Sequence, residues 1–146
     1  MTLSNVNMIR VSSARAIGGW EDFFKDGEGY LRTAVGAYKK RKKAFTSEIL
    51  YNIIAMAIEK FIMSALMHHG ALPYNHTMRD LVEAMDETFP TAIDELREGL
   101  LKMDTYQDIC ALDGFRITPP KMKEISGMLN MAQKLRGLIT APERLT

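Results

Sequence analysis

Cysteine occurs once in these 146 residues, at Cys110, so the chain forms no disulfide within itself and builds no cysteine-based zinc cluster. A reducing, cytoplasmic setting is the expectation that follows. Aromatic residues are sparse, at 8%, with Trp20 the single tryptophan. Net charge is nearly absent as well: +1 overall excludes a surface that is electropositive throughout, as a glove for nucleic acid would be. The opening MTLSNVNMIRVSSARAIGG lacks the apolar run of a secretory signal. The most apolar stretch, Ile53 to Leu66, is interrupted by Glu59 and Lys60 and falls short of the ~20 residues of a membrane span. It is therefore expected to be a buried core helix, with no membrane involved. No internal repeat, low-complexity tract or Gly/Pro/Ser-rich linker divides the chain, and no phosphate loop, Gly-x-Ser-x-Gly or Rossmann fingerprint is present.

What is present is the balance of an ordinary globular protein, 47% hydrophobic and 25% charged. The length fits one domain with a real core, so residues 1–146 are expected to form a single helical domain, with 1–13 a loose N-terminal arm whose Met8, Ile9 and Val11 could dock onto the body. The small net charge hides a segregation. Residues 1–45 carry +5, residues 46–110 carry −7 and residues 111–146 carry +3, so basic ends flank an acidic middle.

Apolar residues recur at a helical period throughout. A first helical region is expected from about Trp20 to Lys42, with Asp26-Gly27-Glu28-Gly29 a place to kink or split it, since each interior Gly costs roughly 1 kcal/mol relative to Ala. A second, central helix starts at a Thr46 or Ser47 cap, with Glu48 at the positive end of its dipole, and is apolar almost all round to Met67. Gly70 and Pro73 end it. Thr77 to Asp80 reads as the start of a third helix carrying Met78, Leu81, Val82 and Met85, and Pro90 closes it. Thr91 to Asp94 repeats the signal for a fourth, with Ile93, Leu96, Leu100 and Leu101. A bend is expected near Thr105 to Asp108, followed by Ile109, Cys110 and Leu112, with Asp113-Gly114 ending the segment. Thr118-Pro119-Pro120 opens a last helix that Pro142 stops. No segment alternates with period two for long enough to nominate a strand. The fold class that follows is all-α, a compact antiparallel bundle of about five helices.

The stretch from Tyr51 to Gly70, YNIIAMAIEKFIMSALMHHG, resembles the second helix of HEPN domains, in which an Ala-x-x-x-Glu-Lys core precedes an apolar run ending at Gly. The matching residues are Ala55, Glu59, Lys60 and Gly70. Pro73 and His76 stand where that family commonly has a Pro and a His before the next helix, and the Pro119-Pro120 opening of a last helix with Gln133-Lys134-Leu135 near its end is compatible. The resemblance implies an up-and-down bundle of four or five helices that commonly forms a homodimer. It also implies one of several roles: a nucleotide or RNA binder, a partner of a minimal nucleotidyltransferase, or a metal-independent ribonuclease toxin of a toxin–antitoxin pair. The family's ribonucleases carry an Arg followed about one turn later by a His. Here no His follows an Arg at that spacing, and Arg116, in the region of the family's Arg, has no His after it at all. The expectation is accordingly a noncatalytic HEPN-like binder of a nucleotide, RNA or protein partner. The alternatives are a ribonuclease with a displaced constellation, Arg116 with His76, and a structural self-associating bundle.

Among individual residues, Lys39, Lys40, Arg41, Lys42 and Lys43 form the most conspicuous charge run. Clustered cations of this kind bind phosphates, and they also serve as a solvated helix end opposing the dipole. Asn52 and Glu59 are two turns apart on one face of the central helix, and with Lys60 they line a ligand cleft or self-association seam, or else satisfy neighbouring helices. His68 and His69 point roughly 100° apart on a helix, and His76 could fold back towards them, but no further ligand completes a metal site, so neither metal nor cofactor is expected. The eleven Met, among them Met56, Met63, Met85 and Met128, are expected to fill the core, and Cys110 to pack as a small hydrophobe.

Overall fold

The computed structural model describes residues 8–10, 16–108 and 116–140. Within them the chain runs β1 (Met8–Arg10), α1 (Trp20–Lys39), α2 (Ser47–His68), β2 (Ala71–Pro73), α3 (Met78–Thr88), α4 (Arg97–Lys102), a 3-10 turn (Met103–Tyr106), β3 (Gln107–Asp108), β4 (Arg116–Ile117) and α5 (Met122–Thr140). Five helices in an all-α bundle are the architecture that the periodicity predicts.

The central helix is α2. The Thr46 side chain accepts a hydrogen bond from Ile49 N at 3.2 Å, satisfying a donor of the first turn. Ile54, Ile58, Phe61, Ile62 and Leu66 are wholly buried at the heart of the core. The apolar stretch Ile53 to Leu66 lies within α2, which at 22 residues is long and apolar enough to cross a membrane by length and composition, though most of it is buried inside the bundle. α1 packs antiparallel along it: Trp20 meets His68, and Phe24 meets Phe61. α1 is unbroken through Gly27 and Gly29, so the helix is not split there. Gly27 is buried against Phe61 and Ala57 of α2 with no room for a side chain, so the lost helix propensity is offset by packing.

α3 begins as its sequence signal indicates. Thr77 Oγ1 accepts from Asp80 N at 3.1 Å and donates to Asp80 Oδ2 at 2.9 Å. Asp104, from the 3-10 turn, accepts from Met78 N and Arg79 N at 3.2 and 3.0 Å, tying the start of α3 to a distant part of the chain. The same turn is held to α2 by Tyr51, whose hydroxyl donates to the Met103 carbonyl at 2.8 Å. Burial, helped by the nearby Asp104 carboxylate, pushes the Tyr51 hydroxyl up to about 12 from 10.0. At α5, Glu124 accepts from Lys121 N at 2.8 Å and from the Tyr106 hydroxyl at 3.1 Å, and these bonds hold its carboxyl below the usual range. Arg136 of α5 donates from Nε to Glu28 of α1 at 2.9 Å.

The structure departs from the sequence reading in four further places. The residues from Thr91 to Asp94 form turns, not a helix start; α4 begins at Arg97, and Thr91 has a left-handed φ of 68°. Asp94 pairs with the Arg97 guanidinium at 2.8 Å instead of capping a helix. Two small antiparallel ribbons occur where no strand was expected, β1 with β2 in the register Met8↔Pro73 and β3 with β4 in the register Asp108↔Arg116. Each strand has two or three residues, too few for a period-two pattern to register. Residues 8–10 of the expected loose arm are thus held in a ribbon. Met56 is 40% exposed and not in the core, whereas Met63, Met85 and Met128 are buried as expected. The readings for Ile109, Cys110, Leu112, Asp113, Gly114 and Pro142 fall outside the described residues.

Candidate anion-binding cleft

The end of α1 determines where the basic run goes. Lys40 N donates to Gly36 O at 3.0 Å, Arg41 N to Tyr38 O at 3.1 Å and Lys42 N to Ala37 O at 3.2 Å. The last two are the paired bonds of a Schellman cap, which needs a left-handed residue just past the helix. That residue is Arg41, with φ 49°, where glycine is the usual occupant. The chain then doubles back, Phe45 N donates to Lys42 O at 3.0 Å, and Thr46 caps α2. The run is therefore a tight corner between two helices and not a straight helix end.

This corner faces the first residues of α5 across a cavity of about 550 Å³. Lys39, Arg41, Lys42 and Lys43 line it from one side and Lys123 from the other, with Tyr38, Phe45 and Leu50 among the remaining lining residues. Among the described residues no Asp, Glu or His lines it. None of the five cations is in an ion pair with a described residue, whereas Arg97, Lys102 and Arg136 are paired with Asp94, Glu124 and Glu28. Like charges gathered in a concavity repel one another and raise the local potential, so an arriving anion relieves repulsion as well as gaining attraction. Thr46 and Met122 place the N-terminal ends of α2 and α5 in the wall, so the positive poles of both dipoles lie beside it.

Four of the five residues of the predicted run thus come together; Lys40 is exposed beside the cleft and does not line it. Lys123 was missed, because it lies eighty residues further along the chain. Its one signal was a cation in the first turn of a helix, where the dipole disfavours positive charge.

The other candidates gather elsewhere. His76 Nδ1 lies 2.5 Å from Glu59 Oε2, so two predicted residues do meet, with the Glu59 side chain 36% exposed and not buried among apolar groups. Lys60 Nζ sits 4.4 Å above the centre of the Phe23 ring. Asn52 is half-buried on the same helix. His68 packs on Trp20 and His69 on Phe89, so the three histidines do not converge. Among the described residues no group of His, Cys, Asp or Glu is placed to hold a metal ion. Arg116 stands opposite Asp108 in the β3–β4 ribbon; its side chain, and with it any pairing with His76, lies outside the described residues. Glu59 is thirteen residues beyond Thr46, about 20 Å along α2, which separates the His76–Glu59 pair from the basic cleft.

No protein-family model matches this chain, and neither the curated proteins nor the solved structures yield a match to it.

Proposed function

We propose that this chain is a noncatalytic, HEPN-like helical protein that binds a phosphate-bearing ligand, a nucleotide or RNA, in the cleft between the α1–α2 corner and the start of α5, and that it works as a homodimer. The observation that carries the ligand class is the set of five cations that line one concave site, with no ion-pair partner and no carboxylate in the lining among the described residues. Cations held without partners favour a multiply charged anion over a neutral or cationic ligand. The noncatalytic part rests on what surrounds such an anion. Cleaving a phosphodiester without metal needs a group that moves a proton within hydrogen-bond reach. Among the described residues no His or carboxylate lines the cleft, and His76 is engaged with Glu59 about 20 Å away along α2.

The test is binding of end-labelled single-stranded RNA and of a fluorescent nucleotide, each followed by anisotropy. At least one is expected to bind. Exchanging Lys39, Lys42 and Lys43 together for Ser is expected to weaken that binding at least about tenfold and to flatten its salt dependence. The RNA is expected to stay full length. Failure of both ligands to bind overturns the ligand class, and RNA cleavage abolished by His76→Ala overturns the noncatalytic part.

A further inference from the structure

We infer that the cleft selects a clustered oligophosphate, three or more phosphoryl groups joined in one chain, over the spaced phosphodiesters of a nucleic-acid strand. The inference rests on the reading of the cleft as an anion site and narrows its ligand to inorganic triphosphate or the phosphate tail of a nucleoside triphosphate.

The first support is shape. At about 550 Å³ the cavity lies inside the ~300–1,000 Å³ range of small-molecule sites. A single strand is instead bound along a track of roughly 4–16 nucleotides, with cations distributed over its length. Here five cations converge on one pocket. Lys40 and Lys121 flank it in the chain, but the next polar side chains along α2 are Ser47, Glu48 and Asn52, and along α5 they are Glu124, Ser126 and Asn130. Back along α1 a single cation, Arg32, follows Thr33 two turns away. A strand leaving the pocket along α2 or α5 meets carboxylates or neutral groups, and one leaving along α1 meets one cation.

The second support is what the aromatics do. Strand binders present free ring faces on which successive bases stack. Tyr38 and Phe45 line the cleft but are half-buried and packed against the hydrophobic core, so they form walls and not a stacking platform. The site is equipped for charge and not for bases. The third support is the kind of cation. Four of the five are lysines, compact charges on flexible stems with three rotatable donors each, able to close around several phosphoryl oxygens at once. The lysines come from two separate parts of the chain, so a ligand that bridges them must place negative charge on both sides of one small space.

Isothermal titration of the full chain with inorganic triphosphate, monophosphate, ATP and a single-stranded RNA 12-mer with hydroxyl ends, all at one ionic strength, tests this. Triphosphate is expected to bind one per chain, about tenfold or more tighter than the RNA and about a hundredfold tighter than monophosphate. ATP is expected to match triphosphate to within a factor of about three, since the base is not read. Lys42→Ser and Lys123→Ser, both at exposed positions on different elements, are each expected to weaken triphosphate about fivefold or more with an unchanged helical spectrum. RNA binding tighter than triphosphate, and lost in both variants, overturns the oligophosphate inference and leaves the anion site standing. Triphosphate binding indifferent to both substitutions overturns it as well. No binding by any of the four overturns the site itself.

Discussion

A Cβ built on Gly27 would come within 2.8 Å of two ring carbons of Phe61 and 3.2 Å of the Ala57 carbonyl oxygen. Phe61 is wholly buried and the Ala57 oxygen belongs to helix backbone, so neither can yield cheaply. Gly27→Ala is therefore expected to destabilise the fold by about 1–3 kcal/mol, because overpacking outweighs the roughly 1 kcal/mol of helix propensity gained. Gly29 and Gly36 lie in the same helix with nothing within 4 Å of the added atom. There the same substitution is expected to stabilise by about 0.4–1 kcal/mol. Urea unfolding of the three variants checks this; equal effects at all three positions would show that α1 and α2 do not meet at Gly27.

That contrast also marks the limit of what the chain reveals on its own. Asp26-Gly27-Glu28-Gly29 carries a helix-breaking composition, and no local rule distinguishes a glycine that bends a helix from one that admits a neighbour. α2 and α3 were legible because Thr46 and Thr77 cap them and their apolar residues keep one period. Thr91 carried the same kind of signal and misled, since Pro90 precedes it and its backbone turns left-handed, deferring the helix to Arg97. The basic run was legible as composition, but its conversion into a cleft depended on the reversal at Arg41 and on Lys123, both products of tertiary folding. The role of Asp104 in closing the start of α3 had no local signature either.

Ile49 and Met56 are 42% and 40% exposed on α2, and half-buried Ile53 lies between them at helical spacing on the same face. A homodimer that covers this stripe is expected to give about twice the 16.5 kDa chain mass by light scattering at micromolar concentration. Ile49→Lys with Met56→Lys is expected to return the mass of one chain with the helical spectrum intact, since neither side chain belongs to the buried core. A wild-type monomer overturns the dimer, and a dimer unaffected by the double change moves its interface elsewhere.

Tyr51 supplies a test of the junction between α2 and the 3-10 turn. Its hydroxyl is raised from 10.0 to about 12 in the fold, first by burial and then by the Asp104 charge. A raised folded value means that the neutral hydroxyl is favoured in the folded state, so the stability it contributes is full below pH 10 and is lost as pH climbs towards 12. Tyr51→Phe removes the bond to the Met103 carbonyl and is expected to cost about 1 kcal/mol at neutral pH. The two proteins differ in this hydroxyl alone, so the comparison isolates it. The urea midpoint of the wild type is expected to fall faster than that of the variant as the pH rises above 10, narrowing the gap between them. Parallel curves would mean that the hydroxyl is not enclosed.

Arg41 brings stability and function into opposition. Its φ of 49° is left-handed, a conformation that costs a side-chain-bearing residue roughly 1–2 kcal/mol and costs glycine nothing comparable. The Schellman bonds of Arg41 N and Lys42 N use backbone alone, so glycine preserves them. Arg41→Gly is therefore expected to raise stability by about 1 kcal/mol while removing one of the five cations that line the cleft. Arg41→Ala removes the same charge but keeps the strain, so its stability is expected to stay near that of the wild type. Both variants are expected to weaken triphosphate binding by a similar factor, about threefold to tenfold, because both delete the same guanidinium. Unfolding in urea and titration with triphosphate, run on the same three proteins, separate the two effects. If Arg41→Gly gained stability without losing affinity, the arginine would not be held in its strained position by the ligand site. If both variants lost affinity and only glycine gained stability, a strained cation would be retained at this corner for the anion it meets.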